Sequence, residues 1–328
     1  MTSTTERLNI WRKISKTAPQ SELDEVTAGR NAEKSLQTMF DAKLFFKKSC
    51  IFHSKRVPYR KGNRQGRYEI DLIVLTQKQI CAIEIKNWSG SVRTDGSHWI
   101  QTRRDGSEII HDDPIEKNRK KLEVLCKYLE ERGCRLPKAK VSKVIQWNSK
   151  LKVDSKISNN SDLVLHFQLE KFLKSQKGSS FGETILHSVL SLCLDQETSE
   201  IALDGFFGAI PEEDYSKCLS IIDALHNFDQ IEMFGGRVVS GDLLKLNLGG
   251  NSLQLKSLKK GQKVDILCIR TRLILFFIAL WGKRSLFNLS DPFADVTVHP
   301  KDYILFHPAG EPKTKQIQLV ELNNFKRG

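Results

Sequence analysis

The chain has no apolar stretch long enough to cross a bilayer. Its most hydrophobic run, Leu273 to Trp281, is bracketed by Arg270, Arg272, Lys283 and Arg284. It falls well short of the roughly 20 apolar residues of a spanning helix, so a buried strand or short core segment is the better reading. The first residues are polar and contain no hydrophobic signal region. Thiol-based metal patterns are missing too. The seven cysteines, at 50, 81, 126, 134, 193, 218 and 268, make no CxxC pair and no Cys/His spacing suited to structural zinc. Their scatter and odd number read as an intracellular protein, nuclear or cytoplasmic, with free thiols used as small core residues. The eight histidines form no HExxH and no close His/Asp pair. The absence of a P-loop, a GxGxxG and a nucleophile elbow leaves ATP-driven, dinucleotide and esterase chemistry without support. No internal repeat or long low-complexity tract occurs.

What is present is positive charge. The 52 Lys and Arg outnumber the 39 Asp and Glu, giving a net charge of +13 over 328 residues and a pI near 9.3. Such an excess favours polyanions, either nucleic acid or an anionic membrane surface. A length of 328 residues fits about two domains.

One stretch carries charge where an apolar strand should not. Gly66 to Leu75 and Ile80 to Gly90 read as two strands joined by a polar turn, with Asp71 inside the first and Glu84 and Lys86 on the second. Alternation puts Ala82, Glu84 and Lys86 on one face and Cys81, Ile83 and Ile85 on the other. Buried charges persist mainly where they meet each other, a metal or a substrate. If the strands pair, Asp71, Glu84 and Lys86 share one end of a sheet as a divalent-metal site with a lysine beside it.

Asp71…Glu84-x-Lys86 resembles the PD-(D/E)XK nuclease core, and Lys86-Asn87-Trp88-Ser89-Gly90 is similar to the signature of the nuclease-related domain, NERD, within that superfamily. The resemblance spans roughly residues 25 to 175. It implies a restriction-endonuclease-like α/β (α+β) core, a mixed central sheet with flanking helices in the order α-β-β-β-α-β. It implies metal-dependent phosphodiester hydrolysis. Asp71, Glu84 and the Ile85 carbonyl would bind Mg2+ or Mn2+, oxygen ligands suiting these hard cations, and Lys86 would assist the attacking water. Gly29-Arg30-Asn31-Ala32-Glu33 is similar to the opening of the family, with Ala32 at its second glycine. Glu33 then matches a helix glutamate often placed near the metal; without the resemblance it is an ordinary solvated residue. Asp113-Pro114 stands where the family has Asn-Pro, and Lys117 near its glutamine.

The expected order is a flexible segment over 1–20, in which Leu8, Ile10, Trp11 and Ile14 offer the alternative of one amphipathic turn that docks elsewhere. A nuclease domain over 21–175, a helical connector over 176–234 and a small β-rich C-terminal domain over 235–328, a sandwich or barrel, follow. Within the nuclease domain a helix is expected from Ser21 to Leu44. The basic, glycine-containing segment Tyr59 to Arg67 reads as a loop whose Arg60, Lys61, Arg64 and Arg67 either contact phosphates or only face water. A hairpin over His98–Ile110 and a helix from Pro114 to Arg132 come next. The Lys117 and Lys120 face of that helix is open between a solvated surface and a nucleic-acid contact. Trp88 is open between packing and stacking on a base. Asn148 to Ser161 reads as a surface loop between two core strands. The C-terminal domain could serve a homodimer mate, another protein or nucleic acid. Three functions remain: a nuclease acting on DNA more than RNA, an inactive NERD-like scaffold, and a regulatory protein at a membrane surface.

Overall fold

The unit that carries the charged strands is built on β3, Gln79–Lys86, whose residues from Ile80 to Glu84 are all buried. Burial without alternation marks a strand covered on both faces. It is the middle strand of a five-stranded sheet in the order β1-β2-β3-β7-β9. β1, Ile51–Lys61, and β2, Arg64–Leu75, form an antiparallel meander with β3. β7, Ala139–Gln146, and β9, Leu163–Leu165, run parallel to it. The computed structural model describes residues 4–21, 24–43, 50–61, 64–175, 209–248, 251–253, 258–268, 279, 287–293, 299, 302–309, 311 and 313–328.

Helices cover both faces of this sheet. α2, Asp24–Lys43, and α5, Leu169–Ser175, place Leu36, Leu169, Phe172 and Leu173 against Leu72, Val74, Cys81 and Ile83. The other face holds α3, Pro114–Glu130, and α6, Glu212–Ala224, with Leu122, Leu125, Leu129, Cys218 and Ile222 against Ile73, Leu75, Ile80 and Ala82. Each such aliphatic side chain contributes about 1.5–3 kcal/mol by leaving water. α3 starts where its sequence says it should. The Asp113 carboxylate accepts the N–H groups of Ile115 and Glu116, and Pro114, which has no N–H to satisfy, follows it. Buried Asn118 then staples α3 to the sheet, donating to the carbonyls of Ala82 and Lys143 and to the Ser142 hydroxyl.

A second, four-stranded sheet lies between β3 and α3 in sequence: β4, Ser91–Thr94; β5, His98–Thr102; and β6, Glu108–Asp112, joined by β8, Lys152–Val153, in the order β6-β5-β4-β8. The Arg104-Asp105-Gly106 turn closes the expected hairpin. Asn148 to Ser161 differs from the expected loop. It contributes β8, which pairs parallel with β4, and the short helix α4, Ser155–Ser158, which buries Ile157. Backbone pairing and one apolar anchor outweighed a polar composition.

The second unit comprises residues 1–24 and 228–328, while 25–227 form the first. Residues 1–20 are not the flexible segment expected. α1, Thr4–Lys16, is a 13-residue helix that buries Ile14 and packs Leu8, Ile10 and Trp11 onto the core of the C-terminal sheet. That sheet has eight antiparallel strands among the described residues. They are β10, Asp229–Met233; β11, Val238–Leu248; β12, Asn251–Leu253; β13, Lys263–Cys268; β14, Phe287–Leu289; β15, Tyr303–Pro308; β16, Lys315–Gln318; and β17, Leu322–Lys326. The boundary between the two units therefore falls before β10 rather than at 235, and α6, assigned from sequence to a connector, packs in the core of the first unit. The expected linker at 176–180, the helix over 181–194 and the turn at 204–208 lie outside the described residues, as does nearly all of the 273–280 run. No helix among the described residues is long and apolar enough to cross a membrane.

Candidate active site

β2 and β3 pair as far as Leu72 and Ile83 and no further. At the next position the Asp71 side chain takes over the work of the backbone: its Oδ2 accepts the Ile85 N–H at 2.8 Å. N–H and C=O of one strand residue face the same neighbouring strand, so the Ile85 carbonyl also faces the edge where Asp71 lies. Glu84 and Lys86, on the alternate positions, meet each other, with Lys86 Nζ donating to Glu84 Oε1 at 2.6 Å. The second oxygen of Glu84 accepts from Lys121 Nζ of α3 at 2.5 Å. Glu84 is thus clamped between two lysines, and all three side chains are largely withdrawn from water, at 12 % exposure for Glu84, 28 % for Lys86 and 15 % for Lys121.

The electrostatics follow from this crowding. Burial, with the Glu84 charge second, pushes the Asp71 carboxyl up to about 8, and Lys121, the Ile85 N–H and Lys86 offset only part of it. Asp71 retains some solvent contact, which caps that shift. Burial would raise Glu84 too, but its two lysines outweigh it and hold the carboxylate below its ordinary range. Burial opposes the charge on Lys86, and the Glu84 pair prevails, raising its pKa. Glu69, two residues before Asp71, is pushed up to about 7, mainly by burial. Glu33 on α2 is raised by burial, with Lys86 pulling it down and Glu84 pushing it up. The residue as a whole is exposed.

The segment after β3 is held at every residue. Trp147 N–H donates to the Lys86 carbonyl at 2.8 Å, and Asn87 Nδ2 reaches the Ala28 carbonyl of α2 at 3.0 Å. Gln146 Nε2 donates to the Trp88 carbonyl and Gln101 Nε2 to that of Ser89, both at 2.9 Å. Lys152 N–H donates to the Gly90 carbonyl. Gly90 has φ +88°, and a Cβ there would lie 2.0 Å from the Thr102 carbonyl oxygen. The Asn-Trp-Ser-Gly run is therefore a junction that binds α2, both sheets and the end of β3, and Asn87 tethers the helix that carries Glu33.

Beside the cluster lies a groove of about 630 Å³ lined by Tyr68, Glu84, Lys86, Trp88, His111 and three lysines of α3, Lys117, Lys120 and Lys121, among others. Trp88 stacks on His111 with ring centroids 4.3 Å apart and meets Trp99 edge-on. Its packing role is filled from within the protein, while it still forms one wall. Lys117 pairs with Asp112 at 2.6 Å, and both are largely exposed.

The basic segment 59–67 is not a loop. β1 continues to Lys61 and β2 begins at Arg64, with Arg60 opposite Gln65 and Lys61 opposite Arg64. The side chains of Arg60, Lys61 and Arg64 lie outside the description; Arg67 is exposed. The reason is a cross-strand fit. The Tyr59 ring lies over Gly66, where a Cβ would come within 2.6 Å of it, and stacks on Tyr68. The structure brings Asp71, Glu84 and Lys86 together at one end of the sheet, and Glu33 lies within electrostatic reach of Lys86 and Glu84. Lys121 and Glu69 were missed. Lys121 was indistinguishable among the lysines of a basic helix.

The donor set bears on a metal. Among the described residues no three His, Cys, Asp or Glu side chains converge on one ion position. Two carboxylates and the Ile85 carbonyl do suit a small hard cation that keeps several waters, as Mg2+ does. Asp71 Oδ1 has no protein partner among the described residues, whereas both Glu84 oxygens are held by ammonium groups.

Residues 28–147 match the family model described as NERD, nuclease-related domain. A relative among curated proteins, "Probable kinase PglW" of Streptomyces coelicolor, is 31% identical over 67 residues, which is 20% of this chain and 4% of that protein's length. The solved structure of protein VC1899 from Vibrio cholerae aligns at a TM-score of 0.28 and 13% identity, over 44% of this chain and 31% of that one.

Proposed function

We propose that the nuclease-related domain at residues 28–147 hydrolyses phosphodiester bonds of nucleic acid, DNA more than RNA, with a divalent cation. The observation that carries this reading is the meeting of Asp71, Glu84 and Lys86 where β2 and β3 part, beside a lysine-lined groove. Asp71, Glu84 and the Ile85 carbonyl are the residues that would hold Mg2+ or Mn2+. Bound there, the ion supplies Lewis acidity and lowers the pKa of a coordinated water. Lys86 orients the attacking water and offsets charge developing on the phosphate. Glu33, tethered through Asn87, adds a further carboxylate at the rim. Lys117 and Lys120 of α3, with Arg60, Lys61, Arg64 and Arg67 of the β1–β2 hairpin, contact backbone phosphates, and Trp88 walls the groove. Free cysteines at every described position fit a reducing compartment, nucleus or cytoplasm. The C-terminal sheet offers a surface for a second copy or another protein.

One observation favours a second reading, a non-catalytic nucleic-acid-binding scaffold: both oxygens of Glu84 are engaged by lysines. A cleavage panel over linear, nicked, flapped and branched DNA and over RNA, with Mg2+ and with Mn2+, separates the two. The nuclease reading expects cleavage by the wild type and none by Asp71→Asn or Lys86→Ala. Binding without any cleavage selects the scaffold. Salt-sensitive binding to anionic vesicles without nucleic-acid binding selects a membrane-surface role, the third outlet for a charge of +13.

A further inference from the structure

Lys121 stands among the acidic groups of the site. Its Nζ is bonded to Glu84 Oε2 at 2.5 Å, and its side chain is only 15 % exposed. It is also the leading cation acting on Glu69 and on Asp71. Three carboxylates gathered in a partly buried place repel one another unless a cation stands among them. Lys86 cannot serve all three, since it lies on β3 itself and holds the other oxygen of Glu84. Lys121 reaches in from α3, whose height is set one turn earlier by buried Asn118 on the carbonyls of Ala82 and Lys143.

We infer that Lys121 is a positioning residue that competes with a divalent cation for Glu84 and must release Glu84 when that cation binds. The inference rests on the metal reading of the site. Two ammonium groups and a divalent cation within a few ångströms of one carboxylate repel strongly in a site of low effective dielectric. Glu84 therefore exchanges Lys121 for the metal rather than adding one to the other. The released ammonium has a destination. Lys121 lines the same groove as Lys117 and Lys120, where a phosphate group of the substrate would draw it outward. The exchange ties metal affinity to an occupied groove: the cation binds weakly until an anion holds Lys121 aside.

The test is a Mn2+ titration of the full chain, read as free Mn2+ by electron paramagnetic resonance. Lys121→Met keeps the length and removes the charge. It is expected to tighten Mn2+ binding by roughly tenfold or more, the scale on which one close charge acts in a partly buried site. Asp71→Asn is expected to abolish binding. A purely structural role for Lys121 predicts the reverse sign, since loss of the clamp would loosen Glu84 and weaken the site. Unchanged or weaker binding by folded Lys121→Met, with the wild type still binding through Asp71, overturns the inference and leaves the metal reading standing. No binding by the wild type or by Lys121→Met overturns both. If circular dichroism shows Lys121→Met to be unfolded, Lys121→Gln takes its place in the same titration.

Discussion

Asp71 Oδ2 and the Ile85 N–H are 2.8 Å apart, a side chain completing a ladder that the backbone of β2 leaves unfinished. The bond does two things at once. It closes the end of the sheet, and it fixes a carboxylate beside the Glu84–Lys86 pair. Its cost is electrostatic, since the carboxylate is crowded by burial and by Glu84.

That cost sets a pH dependence. The folded-state pKa of Asp71 is raised, from 3.8 to about 8. The native state therefore holds this proton more tightly than the unfolded chain does. The resulting stabilisation is fully present below about pH 4 and is lost as the pH rises toward 8. Asp71→Asn keeps an oxygen for the Ile85 N–H and has no proton to lose. In thermal melts its Tm is expected to gain on the wild type by about 3 °C or more between pH 5 and pH 8. A difference that stays flat across that range would contradict the shift.

Glu84→Gln should behave otherwise. It leaves the Lys86 and Lys121 ammoniums facing each other without their counter-ion. Removing one partner of a largely buried pair costs roughly 2–4 kcal/mol. Urea unfolding should show this loss, and Glu84→Gln combined with Lys121→Met should recover a good part of it. If the double variant is no more stable than the single one, the two lysines do not strain each other through Glu84.

At Gly90 the expectation is steric. Alanine would put a Cβ 2.0 Å from the Thr102 carbonyl oxygen at a φ of +88°. Gly90→Ala is expected to lose about 2 kcal/mol or more in urea unfolding, because both the backbone conformation and the space are wrong for a side chain. Gly96, at φ +102° with open space around it, is the control. Gly96→Ala should cost about 1 kcal/mol, the conformational part alone.

Asn118→Leu removes the donors that hold Ala82, Ser142 and Lys143 to α3. Leaving buried carbonyls without partners costs about 1–3 kcal/mol. Since Lys121 lies one turn along the same helix, this variant should also loosen its contact with Glu84. Amide exchange across α3 and β3 should show both effects; protection like that of the wild type would refute the staple.

The paired strands, the capped start of α3 and the hairpin with its Arg104-Asp105-Gly106 turn were legible because each rests on local chemistry. Apolar runs, an Asp-Pro cap and a glycine turn act within a few residues. So were Asp71, Glu84 and Lys86, since charge inside an apolar strand is conspicuous by itself. The N-terminal helix and the span from Asn148 to Ser161 were not. Leu8, Trp11 and Ile14 become a buried face only against a sheet more than 200 residues later. Lys152–Val153 becomes a strand only because β4 is there to pair with.

By itself the sequence determined where the charged strand ends lie and which carboxylates and lysine stand inside its apolar strands. Side-chain alternation and apolar content follow from covalent order and need no partner. The tertiary structure alone decided how those charges are balanced. Lys121 neutralises Glu84 across a separation of 37 residues, and no local pattern distinguishes it from Lys117 or Lys120 on the same helix. Its role follows from the height at which Asn118 seats α3 on the sheet. A charge-balancing contact depends on distance and burial, and both are set by packing between elements that are remote in the chain.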